Sequence, residues 1–201
     1  MKKKNEDQYA MKKQEILIGF REMVAKDGFE NVSMAKLAKK LEIPSSLIFY
    51  YFENKRTLTE ALVDFVLSEC TTHALPSIVR NVDSGSSFEE YMDDFFDQRK
   101  KQSNADTRVY FECRNLALRD QFVWEKFLKY QNEIVATMKE DLAFFQKKGE
   151  IRVKNLDEAA NFLYCLIGGT NNVSDFINDI NTMQKIADTN KAICKAYMCG
   201  K

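Results

Sequence analysis

The chain is short of the residues that interrupt helices. Two prolines and seven glycines occur in 201 positions, while charged residues make up 30%. A β fold rich in turns needs far more punctuation than that, so long helices are expected. There is one histidine, His73, and the five cysteines, Cys70, Cys113, Cys165, Cys194 and Cys199, show no C-x-x-C spacing. A structural zinc site takes about four close ligands, and a catalytic cysteine–histidine pair takes a third group to orient it. Neither pattern is visible, so no metal, no cofactor and no enzymatic activity is expected. His73 reads as a surface histidine beside a thiol, and the thiols as small buried apolar residues in a reducing compartment. No uncharged apolar run reaches about 18 residues, so no membrane span is expected. The opening MKKKNEDQYA has lysines with no apolar stretch behind them and does not read as a secretory signal. A cytoplasmic protein is the expectation.

The formal net charge is zero, but it is unevenly spread. Residues 1–56 hold 12 Lys+Arg against 8 Asp+Glu, leaving 18 against 22 for the remainder. The N-terminal quarter is therefore basic. Lys2, Lys3 and Lys4 add to this excess, either as a solvated tail or as an arm that strengthens phosphate attraction.

Within that basic quarter, residues 33–55 read SMAKLAKKLEIPSSLIFYYFENK. Met34, Leu37, Ala38 and Leu41 fall at i, i+3, i+4 and i+7, one face of a helix, with Ser33 placed to cap it. Pro44 lacks an N–H and restricts Ile43, so the chain turns there. A second helix starts at Ser45 and Ser46. Ile48 and Phe52, four apart, face the first helix and leave Ser45, Ser46, Tyr50 and Tyr51 on or beside the outer face. This is a helix-turn-helix pattern, in which the second helix enters a major groove N-terminus first. Small hydroxyls at its tip let backbone amides approach phosphates or base edges. The tyrosines offer rings to thymine methyls and O–H donors to phosphates, and Lys55 adds positive charge at the start of the next helix.

The whole order, Ile16-Leu17, Gly28-Phe29, Ser33-Met34, Leu37-Ala38, then Phe49-Tyr50-Tyr51-Phe52 with Lys55 and Leu58, resembles the tetracycline-repressor (TetR) family of bacterial transcription regulators over roughly residues 14–60. The resemblance implies an all-α protein that binds a palindromic operator as a homodimer and releases it when a small molecule enters its C-terminal part. It makes residues 1–54 the DNA-binding domain and 55–201 the effector-binding and dimerisation domain. Carried onto matching positions, Ser33 is a phosphate contact and Ser45 and Ser46 read bases. Tyr50 and Tyr51 are phosphate or methyl contacts, and Lys55 is the phosphate-binding lysine. Two positions depart from the family pattern. Phe49 stands where a tyrosine is usual, and Glu42 where the turn usually has glycine, so that turn either avoids positive φ or carries strain.

Beyond the motif the chain reads as a helical bundle, about nine helices in all. The spacing predicts helices from Lys55 to about Leu75, stopped by Pro76, then 88–101, 107–118 and 121–148, ended by Gly149. The last two are expected from Asn155 to about Asp179 and from Thr182 to Met198. Ser84, Ser86 and Ser87 in the polar stretch 81–87 are placed to cap the helix that follows. Phe162, Leu166, Gly169, Val173, Phe176 and Ile180, with Met183, Ile186, Asn190, Ile193 and Tyr197, form stripes spaced by threes and fours, and Gly168-Gly169 admits a close backbone. These stripes face either their own core or a second copy. A dimer is the reading adopted, since one helix-turn-helix reads too few bases. An aromatic-rich middle, with Phe65, Phe96, Tyr110, Cys113, Trp124, Phe127 and Phe162 as candidates, suits a hydrophobic or aromatic effector. A small all-helical enzyme or a lipid-binding protein using such a cavity is the alternative, and an activator is not distinguished from a repressor.

Overall fold

A computed structural model describes residues 2–74, 82, 85–98, 107–174, 176–177 and 179–200, with side chains for the same residues except 2–5, 72–74 and 174. Among the described residues there are nine α-helices and no strand. They are α1 (Lys2–Asp27), α2 (Met34–Lys40), α3 (Ser45–Tyr51), α4 (Lys55–Ala74), α5 (Phe88–Phe96), α6 (Thr107–Ala117), α7 (Gln121–Lys147), α8 (Leu156–Ser174) and α9 (Ile180–Cys199). The all-helical reading holds. No helix among the described residues is long and apolar enough to cross a membrane. Pro76, the expected stop of α4, and the His73 side chain lie outside the described residues, as do the side chains of Lys2, Lys3 and Lys4. The backbone of those lysines belongs to α1, which begins at Lys2 and not after a free tail.

The helices group into two compact units, residues 1–69 with 106–127, and residues 70–105 with 128–201. In the first, α1 sends Ile16, Phe20 and Val24 inward at four-residue spacing, and Leu37, Ile48 and Leu58 meet them as further fully buried side chains. Gly28, at φ 76, lets the chain leave α1, and Phe29 then packs edge-on to Phe20 with centroids 6.1 Å apart. Ser33 caps α2 as expected, its Oγ accepting the Lys36 N–H at 3.2 Å. Met34, Leu37, Ala38, Ile48 and Phe52 are buried, so α2 and α3 meet through the residues the spacing selects. Pro44, φ −62, is extended and α3 follows it directly.

The turn between α2 and α3 resolves the question raised by Glu42. Its φ is +55, the left-handed region, and it is the one non-glycine there among the described residues. An L side chain in that region costs roughly 1–2 kcal/mol. Glu42→Gly removes this strain and adds roughly 0.5–1 kcal/mol of glycine chain entropy. A net gain of about 0.5 kcal/mol is expected, read as a higher urea midpoint at unchanged slope. A lower midpoint would show that the turn does not store strain.

The second unit is built around α5, the C-terminal part of α7, α8 and α9, with Phe88, Tyr91, Met92, Phe95 and Phe96 packed among Ile134, Met138, Leu142, Phe145, Leu163, Ala187 and Cys194. Ser87 caps α5 in a reciprocal box: its Oγ accepts the Glu90 N–H at 3.2 Å, and Glu90 Oε2 accepts the Ser87 N–H at 3.3 Å. Two boundaries differ from the sequence expectation. α5 ends at Phe96, where the Asp97 N–H closes the last turn on the Asp93 carbonyl, not near 101. α8 ends at Ser174, and Asp179 caps a fresh helix by accepting the Asn181 and Thr182 N–H groups.

Candidate nucleic-acid interface

The outer side of α3 is where the chemistry is concentrated. Ser46, Phe49 and Tyr50 are exposed, Tyr50 at 69%, while Ser45 and Tyr51 are half-buried and Ile48 faces inward. The α3 N-terminus carries no side-chain cap, so the Ser45 and Ser46 hydroxyls are not committed to the helix. A seven-residue helix that presents two hydroxyls at one end and rings at the other suits insertion into a groove.

Tyr9, which the sequence reading did not single out, joins this surface. Its ring lies 4.8 Å from that of Tyr51 and 6.0 Å from that of Tyr50, and Tyr50 and Tyr51 meet edge-on at 5.1 Å. Three tyrosines from α1 and α3 thus brace one another, which limits the rotamers that Tyr50 explores. The signal available in sequence was weak: Tyr9 stands seven residues before Ile16, on the same stripe of α1. Lys13 covers the Phe52 ring at 5.3 Å, so a second residue of α1 grips the end of α3.

Ser33 and Lys55 are placed differently from a plain surface contact. Ser33 is exposed and uses its oxygen lone pair as a cap, leaving its O–H proton to donate outward. Lys55 is half-buried and Nζ donates to the Phe29 carbonyl at 2.6 Å, tying α4 to the turn after α1. An ammonium has three donors, so that bond leaves two for an anion.

The effector candidates are distributed over both units. In the first, Phe65 lies beneath the Arg21 guanidinium at 5.4 Å, Tyr110 packs on Phe127 at 5.8 Å, Cys113 is fully buried, and Trp124 is 46% exposed. In the second, Phe96 is a core residue and Phe162 packs on Tyr197 at 4.9 Å. An open groove of about 620 Å³ between α1 and Leu41 is lined by none of them. Among the buried residues with polar groups that the sequence reading did not single out are Tyr91 and Asp141. Burial, with the Asp141 carboxylate beside it, pushes the Tyr91 phenol well above its usual range.

The cysteines follow the expectation in part. Cys113 and Cys194 are buried and Cys70 and Cys199 half-buried, but Cys165 is exposed, because it lies on the outer side of α8. Burial pushes the Cys194 thiol up to about 12, which leaves it without thiolate at neutral pH. Among the described residues no group of three or more His, Cys, Asp or Glu is arranged to hold a metal ion.

The last two helices have two distinct apolar faces. Ala159, Ala160, Leu163, Ile167 and Thr170 of α8, and Met183, Ala187, Cys194 and Met198 of α9, are buried. Met183, expected on the stripe, is thus a core residue, while other stripe residues lie elsewhere: Val173, Ile193 and Tyr197 are exposed at 43%, 51% and 43%, Gly169 is exposed, and Phe162, Leu166 and Ile186 are half-buried. A Cβ placed on Gly168 or Gly169 would meet nothing within 4 Å. Phe176, expected within the helix, instead stands beyond its end in a turn closed on the Val173 carbonyl, and is 83% exposed.

Two family models match the chain: one described as bacterial regulatory proteins, tetR family, over residues 16–62, the other as the tetracyclin repressor-like C-terminal domain, over residues 84–197. The fold is similar to that of Salmonella enterica GusR, with 20% identity, a TM-score of 0.72, and coverage of 92% of this chain and 94% of that one. It is similar as well to a putative transcriptional regulator from Saccharomonospora viridis in complex with choline, at 16% identity, TM-score 0.72, and coverage of 90% and 95%. Reduced E. coli NemR is a third, at 15% identity, TM-score 0.70, and coverage of 92% and 96%. Among curated proteins there is no match. With both models matched on an all-helical scaffold whose α2 and α3 form a helix-turn-helix, the chain belongs to the tetracycline-repressor (TetR) family of DNA-binding bacterial transcription regulators.

Proposed function

We propose that the protein is a cytoplasmic, homodimeric repressor that holds a palindromic operator and releases it when a hydrophobic or aromatic small molecule binds. The observation that carries this reading is the outer surface of α3, with Ser46 and Tyr50 exposed, Ser45 and Tyr51 beside them, and Tyr9 bracing the rings. In this reading residues 1–54 recognise DNA and 55–201 bind the effector and dimerise. Ser45 and Ser46 read base edges, Ser33 and Lys55 bind phosphates, and Tyr50, Tyr51 and Tyr9 contact phosphates or thymine methyls.

The dimer forms through the outer faces of α8 and α9, which carry Phe162, Leu166, Gly169 and Val173 on one helix and Ile186, Ile193 and Tyr197 on the other. Exposed apolar side chains in such a row are what a two-helix contribution from each copy would bury. Phe65, Tyr110, Cys113, Trp124, Phe127, Phe96 and Phe162 remain the effector candidates, with Tyr91 and Asp141 as added polar groups. The Saccharomonospora regulator holds choline within a similar fold, which supports a small-molecule role for this one. Release then needs only an effector that binds the DNA-incompetent state more tightly.

Selection of bound duplexes from a random pool, followed by footprinting, tests the proposal. A two-fold symmetric site is expected, its half-sites roughly 34–36 Å apart or a multiple of that. An asymmetric site, or no enrichment over competitor DNA, would refute it.

A further inference from the structure

The outer side of α1 carries a groove that neither the recognition surface nor the α8 and α9 stripes use. It lies wholly in the first unit, and its apolar lining is Met11, Ile18, Gly19 and Leu41. Met11 is 73% exposed and Ile18 42%. Apolar residues scattered singly on a surface are ordinary. These two stand seven apart, on the side of α1 opposite its buried Ile16, Phe20 and Val24, and Leu41 walls the groove from the end of α2. Gly19 is what admits Leu41, since a Cβ there would stand 2.7 Å from Leu41 Cδ2. Lys40 holds the junction, its Nζ donating to Glu22 at 2.6 Å and to the Gly19 carbonyl at 3.4 Å.

The shape is complementary to itself. Glu15, Ile18, Gly19 and Glu22 fall at i, i+3, i+4 and i+7, the four-residue hole that receives one side chain of a facing helix. Met11 stands one turn before that hole, and its unbranched, flexible thioether adapts to such a gap. Laid antiparallel about a two-fold axis near residues 14 and 15, two copies of α1 exchange knobs: Met11 of each enters the hole of the other. Gln14 of each then faces Glu15 of the other, an amide donor against a carboxylate acceptor.

The charges suit the same occupant. Lys12 pairs with Glu15 at 2.8 Å and Lys40 with Glu22 at 2.6 Å, so the rim is balanced within each copy. A balanced rim has no pull on nucleic acid or a charged peptide and no repulsion toward its own copy. Two single helices meeting over residues 8–22 bury well under the ~1,200 Å² of a stable interface, so the contact is weak in solution and gains where copies are already held close.

We propose that this groove is a second self-association surface, in which α1 of one copy packs antiparallel on α1 of another and Met11 is the side chain each inserts into its neighbour. The surface is separate from the α8 and α9 faces, so a chain that also pairs there joins dimers to dimers. The pairing needs neither DNA nor an effector, and it stands or falls apart from the proposed function.

Oxidative cross-linking of the full-length protein reads this contact. Positions 11 and 18 lie two turns apart on one helix, roughly 10 Å, too far for a disulfide within a chain. Antiparallel pairing sets position 11 of one copy beside position 18 of the other. Met11→Cys combined with Ile18→Cys is therefore expected to give a covalent dimer whose peptide map links 11 to 18. Each single variant is expected to cross-link no more than wild type, whose five cysteines set the background. Sedimentation velocity supplies a noncovalent measure: wild type is expected to show, as concentration rises, a species of twice the mass found at the lowest concentration. Met11→Glu places a carboxylate in the hole, and the midpoint of that step is expected to rise at least about 30-fold. Its Tm is expected to match wild type, since Met11 is mostly exposed. No linkage above background in the double variant, or a map that joins 11 to 11 or 18 to 18, overturns the proposal. So does a wild type without the second step, or a Met11→Glu protein that associates as wild type does.

Discussion

A folded monomer that has lost its operator is the expected product of Val173→Asp combined with Ile193→Asp. Both side chains are about half exposed, so neither substitution removes a contact from the chain's own core. In a two-fold interface each aspartate enters twice, and four carboxylates would be buried together among apolar side chains. Charge desolvation and mutual repulsion of that kind cost several kcal/mol, more than an interface of standard size can spare. A lone protomer engages one half-site, and its affinity approaches that for arbitrary DNA. The expected loss is about three orders of magnitude or more. Sedimentation equilibrium with a gel shift at matched concentrations checks it. A variant that remains dimeric, or a monomer that binds as tightly as wild type, would show that α8 and α9 do not join the two copies.

The next largest effects are expected on the recognition surface, where Tyr50→Ala and Lys55→Met should fail in different ways. Tyr50 is 69% exposed and contacts only Tyr9 and Tyr51 among the ring pairs, so its loss leaves the core untouched. A contact that reads or fits one site is worth about 1–3 kcal/mol per protomer, and its loss is expected to weaken the selected site more than random duplex. Tyr50→Phe separates the ring from the hydroxyl. Lys55→Met is expected to weaken all duplexes alike and to lower the salt slope by about 1 per protomer. It also removes the bond to the Phe29 carbonyl, at a stability cost of about 0.5–1.5 kcal/mol. Unchanged affinity and salt slope in both variants would detach α3 from DNA.

The helix-turn-helix was legible because its determinants are local. Ser33 caps three residues ahead, Pro44 stops the chain where it stands, and the spacing of Met34, Leu37 and Ala38 is a property of one helix. The double character of α8 and α9 was half legible. Periodicity marked apolar stripes, and only packing shows that Leu163 and Met198 face inward while Val173 and Ile193 face out. The same periodicity misled at Phe176 and Ile180, whose spacing ran straight across the break that Asp179 ends by capping α9. Tyr9, and the ion pair that joins Arg56 of α4 to Asp120 just before α7, were invisible for another reason. Each joins helices distant in sequence, 64 positions apart for Arg56 and Asp120, and no local pattern encodes such a meeting. Glu42 was legible as a departure, but whether the turn avoided or absorbed the strain needed a backbone angle.

In the proposed complex, two copies of α3 lie in successive major grooves on one side of the duplex. Inserting about half a helical turn, roughly 5 bp, at the centre of the selected site tests this most directly, because it rotates one half-site to the opposite face without altering any contacted base. Gel-shift affinity for the spaced site is expected to drop to the level of random duplex. Retention of the original affinity would contradict the account, since no fixed pair of recognition helices can follow a half-site around the helix.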